Sequence, residues 1–305
     1  MSSVQLALLV DHNNPESVIS EVQSLYRYHY QNGFELVESV FWRVKDLFEG
    51  KFPGYRACNT DYHDLAHTFD CFVASARLMD GKNIRNASFS ENMARMLLIG
   101  ALFHDVGYIL EESDTARTGA KYTATHVERS VTFVKRNASI FKLDDDQCNT
   151  ISDLILCTGL NTRWDNIRAE GGELMIAGAI LGSADLLGQM SDRAYLEKLL
   201  FLYYEFREAG IPGFNTEFDI LRKTFEFYEM TRDRLDMVLF GSYGFALDHF
   251  QKRYDVAENL YLSAIDRQMD YLNSIIDDHS SNFRKKLKRI DLESVDPKYQ
   301  ESLHS

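Results

Sequence analysis

Apolar positions recur at helical spacing along almost the whole chain. The run SVISEVQSLYRYHYQNGFELVESVFWRVKDLFEG (17–50) carries one or two amphipathic helices, closed by Gly50 and Pro53. A second helix spans 62–79 and ends at Gly81. At about 100° per residue it places Leu65, Phe69, Phe72, Val73, Ala76 and Met79 on one stripe. The segment SENMARMLLIGALFHDVG (90–107) is a largely buried helix with Ser90 as its N-cap. A polar loop, EESDTARTGAKY (111–122), follows. Further helices are expected over 123–137, 144–160, 172–190, 192–210 and 216–239, and a long one over 244–279. No convincing period-2 run, internal repeat or Gly/Pro/Ser-rich linker interrupts this pattern. The expectation is a single all-α domain over 1–305.

Composition narrows the classes. Hydrophobic residues make up 45% of 305 positions, with 4 prolines, which is enough for a sizeable core and excludes a disordered chain. No window of about 20 apolar residues stands out, so no membrane span is expected. The start, MSSVQLALLVDHNNPES, lacks a basic region and a small-residue cleavage site, so it does not read as a signal peptide. The formal net charge is −13, which argues against duplex nucleic acid as a partner, because such binders gain affinity from cations that release phosphate counterions. Cys58, Cys71, Cys148 and Cys157 have no CxxC spacing and suit unpaired thiols in a reducing cytoplasm. The basic run RKKLKR (284–289) reads as a solvated helix end, with a membrane-surface or partner contact as the other reading.

Three places break the apolar pattern in a chemically suggestive way. The octet Met96–Phe103 ends in His104-Asp105, an imidazole and a carboxylate delivered by a greasy helix. Asp185 is the single charged residue between Glu173 and Asp192, among small and apolar neighbours. His63 and His67, four residues apart, share a helix face. Each alone has a plain explanation: surface histidines, or a capping or hydrogen-bonded aspartate. Together, two imidazoles (His67, His104) and two carboxylates (Asp105, Asp185) form an N/O ligand set. It suits one or two divalent ions, Zn, Mn, Fe or Mg, whose charge would offset the buried carboxylates.

The order H…HD…D on helices resembles the HD superfamily of metal-dependent phosphohydrolases. The residues that carry the resemblance are YHDLAH (62–67), FHDVG (103–107) and SADLLG (183–188). The first segment is similar to the Tyr-His-Asn-x-x-His motif of class I cyclic nucleotide phosphodiesterases. The resemblance covers roughly residues 55–190, with helices of 15–50 and 192–290 packed on that core. It implies that His63 is the general acid to the leaving oxygen. It also implies that His67, His104, Asp105 and Asp185 hold the metals, Asp105 bridging. In THVERS, His126 would match an additional ligand and Glu128 a residue that orients the attacking water; both also read as surface residues of an amphipathic helix. Position 64 is Asp where the motif has Asn, and the His-x-Gly-x-x-Asn continuation is absent, so the metal site transfers better than the cyclic-nucleotide specificity.

The implied activity is hydrolysis of a phosphodiester or phosphomonoester of a small, nucleotide-like substrate by an ion-activated water. Two alternatives carry the same residues. One is a di-iron HD-fold oxygenase, which needs more histidines; His126 would supply one, while His249 and His279 lie far along the chain. The other is a non-catalytic regulatory HD module, whose mark would be lost ligands. Aromatic residues after 200 (Phe201, Tyr203, Tyr204, Phe206, Phe225, Phe227, Tyr228) either line a pocket or fill the core. The stripe Phe250, Tyr254, Ala257, Leu260, Tyr261, Ala264 and Leu272 either packs inside or forms a homodimer.

Overall fold

The computed structural model describes residues 4–159, 164, 172–278, 282–290 and 292. It contains eleven α-helices among those residues. They are α1 (Pro15–Arg27), α2 (Phe34–Phe48), α3 (Leu65–Arg85), α4 (Glu91–Phe103), α5 (His126–Phe141), α6 (Asp145–Leu156), α7 (Gly172–Ser191), α8 (Tyr195–Glu208), α9 (Glu217–Asp233), α10 (Phe245–Tyr254) and α11 (Leu260–Ile276). The described residues hold no strand beyond an isolated bridge between Tyr55 and Glu111. The all-α expectation holds, and the helices form one body.

The centre of that body is the pair α3 and α7. The first packs on α1, α4, α7 and α10, the second on α3, α4, α6 and α11. Helices surrounded in this way are apolar on most faces rather than on one stripe. Gly188 allows the close crossing, since a Cβ there would lie 3.0 Å from the Asp70 carbonyl carbon.

Several sequence expectations are corrected. Helix α3 begins at Leu65 because Asp64 caps it, its side chain accepting from His67 N at 2.8 Å; His63 therefore precedes the helix instead of sharing a face with His67. The helix does not end at Gly81. It runs on to Arg85, and Gly81 lies where α10 crosses, a Cβ there falling 1.8 Å from the Phe245 carbonyl oxygen. The long helix expected over 244–279 is two: Asp255 adopts φ +55°, and Asn259 caps α11 through Tyr261 N at 3.1 Å. His279 lies outside the described residues.

Helix α7 does have the length and apolarity to cross a membrane, contrary to the expectation, yet 67% of that apolar window is buried inside the body as a core helix. The basic run starts in a single 3₁₀ turn, Phe283–Lys285, and is held by partners rather than solvated. Arg284 pairs with Glu217 (Nε–Oε2 2.7 Å), Lys286 with Asp278 (2.7 Å), and Glu197 Oε1 accepts from Lys288 N and Arg289 N, both at 3.1 Å. Within the C-terminal stripe Phe250, Leu260, Tyr261 and Leu272 are buried in the body. All four cysteines are unpaired, three of them buried.

Candidate metal centre and adjoining cavity

Four chain segments meet at the suspected ligands. Helix α4 stops at Phe103, and His104 follows as its C-cap with Nδ1 donating to the Ala101 carbonyl at 2.8 Å. That bond fixes the tautomer and leaves Nε2 as the inward-facing atom. His67, in the first turn of α3, places its own Nε2 3.2 Å from His104 Nε2. Asp185 of α7 places Oδ1 3.1 Å from His67 Nε2 and 3.6 Å from His104 Nε2. Neighbouring ligands around an ion at about 2.0–2.2 Å stand roughly 2.9–3.6 Å apart, so this triangle has the right size. His67, His104 and Asp185 are a group that could hold a metal ion.

Asp105 adds a carboxylate at the same place. Its Oδ2 lies 3.2 Å from His67 Nε2 and 3.4 Å from His104 Nε2, and is buried without a regular hydrogen bond. Its Oδ1 points the other way, 3.6 Å from His126 Nε2. The His126 Nδ1 donates to the Thr123 carbonyl at 2.7 Å, which again leaves Nε2 facing the carboxylate. Gly107 makes this approach feasible, since a Cβ there would sit 1.9 Å from the His126 carbonyl oxygen.

The electrostatics express a shortage of positive charge. Burial alone would raise the pKa of Asp105, but His104 and His67 hold it well below the usual carboxylate range. Burial acts the same way on Asp185, and His104 and His67 again hold it low. In return, burial would lower His67, while the close Asp105 and Asp185 carboxylates push it up to about 10. His126 goes down, chiefly through burial. Two buried carboxylates compete for protons on imidazoles, which is the situation a bound cation relieves.

His63 stands beside this group. Its ring centroid lies 6.0 Å from that of His67. Its Nδ1 meets Glu205 Oε2 of α8 at 2.6 Å, and the other carboxylate oxygen accepts from Tyr62 N at 2.8 Å. Tyr108 stacks on His63 at 4.3 Å and on His126 at 4.6 Å, so one phenol ring orients both imidazoles. Tyr62 donates its hydroxyl to Gln189 Oε1 at 2.6 Å, and Gln189 Nε2 reaches Asp185 Oδ1 at 3.4 Å.

A model of the Npun_R2479-like family matches residues 16–233. The chain belongs to the Npun_R2479-like family. No curated protein matches it, and no solved structure does. The span that defines this Npun_R2479-like chain runs from α1 to the end of α9, so it contains the whole constellation and leaves out α10 and α11.

Of the residues singled out in the sequence, the fold thus brings together His67, His104, Asp105 and Asp185, with His126 and His63 at the edges. It does not bring Glu128, which is exposed on α5 and absent from the cavity wall. Two residues of helix turn a side chain about 200° away, so His126 and Glu128 cannot both face the centre. Glu205, Tyr108, Tyr62 and Gln189 were not anticipated. Glu205 leaves only a weak trace in the sequence, a carboxylate in the aromatic run LLFLYYEF.

His63, His67, Asp105, His126 and Asp185, with Tyr62, Tyr108 and Gln189, line one cavity of about 210 Å³, while His104 and Glu205 sit behind its wall. The ligand group and His63 form one end; the other is walled by apolar side chains of α8, α9 and the loop between them. Of the aromatic residues noted after position 200, Phe206 and Phe227 line it, whereas Phe201 and Tyr203 are buried elsewhere in the core.

Proposed function

We propose that this protein is a metal-dependent phosphohydrolase of HD type, acting on a small phosphate ester. The observation that carries the reading is the position of His63. It is a titratable ring held by a buried carboxylate, placed beside the ligand group and not within it, in the same cavity. A carboxylate-held imidazole facing the ligand group in one cavity supports this reading, because hydrolysis of an alkyl ester is aided by an acid for the leaving oxygen.

His67, His104, Asp105 and Asp185 would hold the ion, and the split orientation of Asp105 toward His67 and His126 suits a carboxylate shared between two ions. When bound, divalent ions supply Lewis acidity and a nucleophilic water at neutral pH. The protein's own part is proton delivery and orientation. Protonated His63 donates through Nδ1 to Glu205 and presents Nε2–H to the leaving oxygen; the carboxylate stabilises the imidazolium and fixes the ring plane. The stacked Tyr108 keeps that ring from rotating away, its hydroxyl 3.4 Å from His63 Nε2.

The test is hydrolysis of di-n-butyl phosphate and n-butyl phosphate, whose alkoxide leaving groups need a proton, by protein loaded with Mn or Zn, beside chelator-treated protein and His63→Ala. Ion-dependent turnover that falls about 10²–10⁴-fold in His63→Ala, with ion content unchanged, supports the reading. Full turnover by His63→Ala would remove the acid from that residue. Bound iron with oxygen uptake and no ester hydrolysis would replace the reading with oxygen chemistry at the same ligands.

A further inference from the structure

We infer that the substrate of this site carries an apolar group of several carbons, seated in the channel between α8 and α9: a phosphate ester of an apolar alcohol. The inference rests on the phosphohydrolase reading for its headgroup and on the channel for its tail.

The channel is built at helical spacing. Leu199, Leu202 and Phe206 of α8 line it with Ile220 and Phe227 of α9 and Phe214 of the intervening loop; Tyr195 and Thr224 share the wall, the Thr224 hydroxyl donating back to the Ile220 carbonyl at 2.8 Å. Spacings of three, four and seven residues put each set on one helix face. Leu202, Phe206, Phe214 and Phe227 are only partly buried, although each packs against the core cluster. Apolar surface left facing water is unfavourable, and an apolar ligand group that covered it would recover roughly 25 cal/mol per Å². This wall is continuous with His63, His67 and Asp185 in one cavity, so a molecule held at the ligand group by its phosphate must extend along it.

The charges point the same way. Among the described residues, Lys223 is the single lysine or arginine on the cavity wall, and its ammonium donates to the Gly213 carbonyl at 2.7 Å while lying 4.8 Å from the Phe214 ring centroid. Among the described residues a second or third phosphate would meet no further guanidinium or ammonium there. A planar base is also poorly served by the best aromatic pair, because Phe206 and Phe214 stand 5.1 Å apart. Sandwiching a ring between them would take about 7 Å, two van der Waals contacts. An aliphatic chain needs neither the charge nor the slot. In the reaction the oxygen of water bonds to phosphorus as the P–O bond to the apolar alcohol breaks; that alcohol departs with the proton from His63, and the proton the water gives up passes to solvent, from which His63 is reprotonated.

The experiment is calorimetric titration of Mn-loaded protein with methyl-, butyl- and octylphosphonate and with adenosine 5′-monophosphate. A parallel series runs from n-butanol to n-octanol. Affinity should climb with chain length by up to about fourfold per methylene, from ~0.8 kcal/mol per buried CH₂. The slope should flatten in Phe206→Asp and lessen in Leu202→Ala, and the octyl compound should bind more tightly than the nucleotide. Equal binding of all phosphonates, or tighter binding of the nucleotide, would overturn the inference while leaving the phosphohydrolase reading in place. Alcohols that bind with the expected slope while no phosphonate binds would keep the channel and overturn the phosphoryl headgroup. No binding in either series would overturn both.

Discussion

Glu205 Oε2 lies 2.6 Å from His63 Nδ1, although 142 residues separate them in the chain. The carboxylate is 2% exposed and its second oxygen accepts the Tyr62 amide, so both of its oxygens are committed to the segment that carries His63. This contact ties α8 to the loop before α3. It fixes which imidazole nitrogen points into the cavity.

Replacing Glu205 by Gln should therefore act through His63. The amide retains the shape but cannot stabilise an imidazolium. We expect kcat to fall roughly 10–100-fold with metal content unchanged, in keeping with partners that orient catalytic or ligating histidines. The double variant with His63→Ala should be no slower than His63→Ala alone, since the two groups act as one. Additive losses in steady-state kinetics would show that Glu205 contributes independently.

Asp105 has its two oxygens engaged in different directions, Oδ2 toward His67 and Oδ1 toward His126, and we propose it as a ligand. We expect one or two ions per wild-type chain and most of that content lost in Asp105→Ala, seen by elemental analysis of protein purified without chelator. The folded protein should survive, because loss of a carboxylate relieves a buried charge when the ion is gone as well. Wild-type ion content in the variant would refute the assignment.

A second buried carboxylate supports the fold and not the site. Asp80 accepts from His29 Nε2 and His249 Nδ1, both at 2.7 Å, and from Arg253 at 3.1 and 2.6 Å. Burial would raise its pKa, but these donors hold it far below the ordinary value. Its stabilisation is therefore fully present above the unfolded carboxylate value near pH 4 and fades only below it. Burial lowers the pKa of His249 from 6.5, so its share is present above that pH and lost as the pH falls through it. Asp80→Asn should cost roughly 3–5 kcal/mol at pH 7, because it strands buried donors. Denaturation midpoints across pH should show the deficit persisting to about pH 5; a gap already closed at pH 6 would contradict it.

What the sequence disclosed follows from contrast. Asp105 and Asp185 were visible because a carboxylate in an apolar run needs an explanation, and His104 was visible beside one. Glu205 was hidden because glutamate is an ordinary helix residue, and nothing local says that position 205 faces inward. The i, i+4 spacing of His63 and His67 reads as one helix face, yet Asp64 between them is an N-cap residue type and α3 starts one residue after it. Gly81 looked like a stop and is a crossing point, since a glycine required by a distant helix has the same letter as one required by a turn. The break between α10 and α11 rests on Asp255 at φ +55°, a conformation only weakly signalled by an aspartate.

Gly107 links that kind of packing to the candidate centre. A Cβ at this position would meet the His126 carbonyl oxygen at 1.9 Å and Ser130 N at 2.9 Å, both backbone atoms that cannot rotate aside. Gly107 N also donates to Ser130 Oγ at 2.9 Å, and that hydroxyl donates to the His104 carbonyl at 2.7 Å, so one short bridge sets the distance from α5 to the His104-Asp105 pair. Gly107→Ala must push the start of α5 outward. His126 Nε2 then moves from its 3.6 Å approach to Asp105 Oδ1, while His67, His104 and Asp185 stay on α3, α4 and α7. We expect a loss of about 1–3 kcal/mol in urea unfolding and, where wild type binds two ions, retention of one. His126→Ala should lose the same ion without the stability penalty, because it removes the ligand and leaves the helix in place. Two ions retained in both variants would mean that His126 is only a neighbour of Asp105.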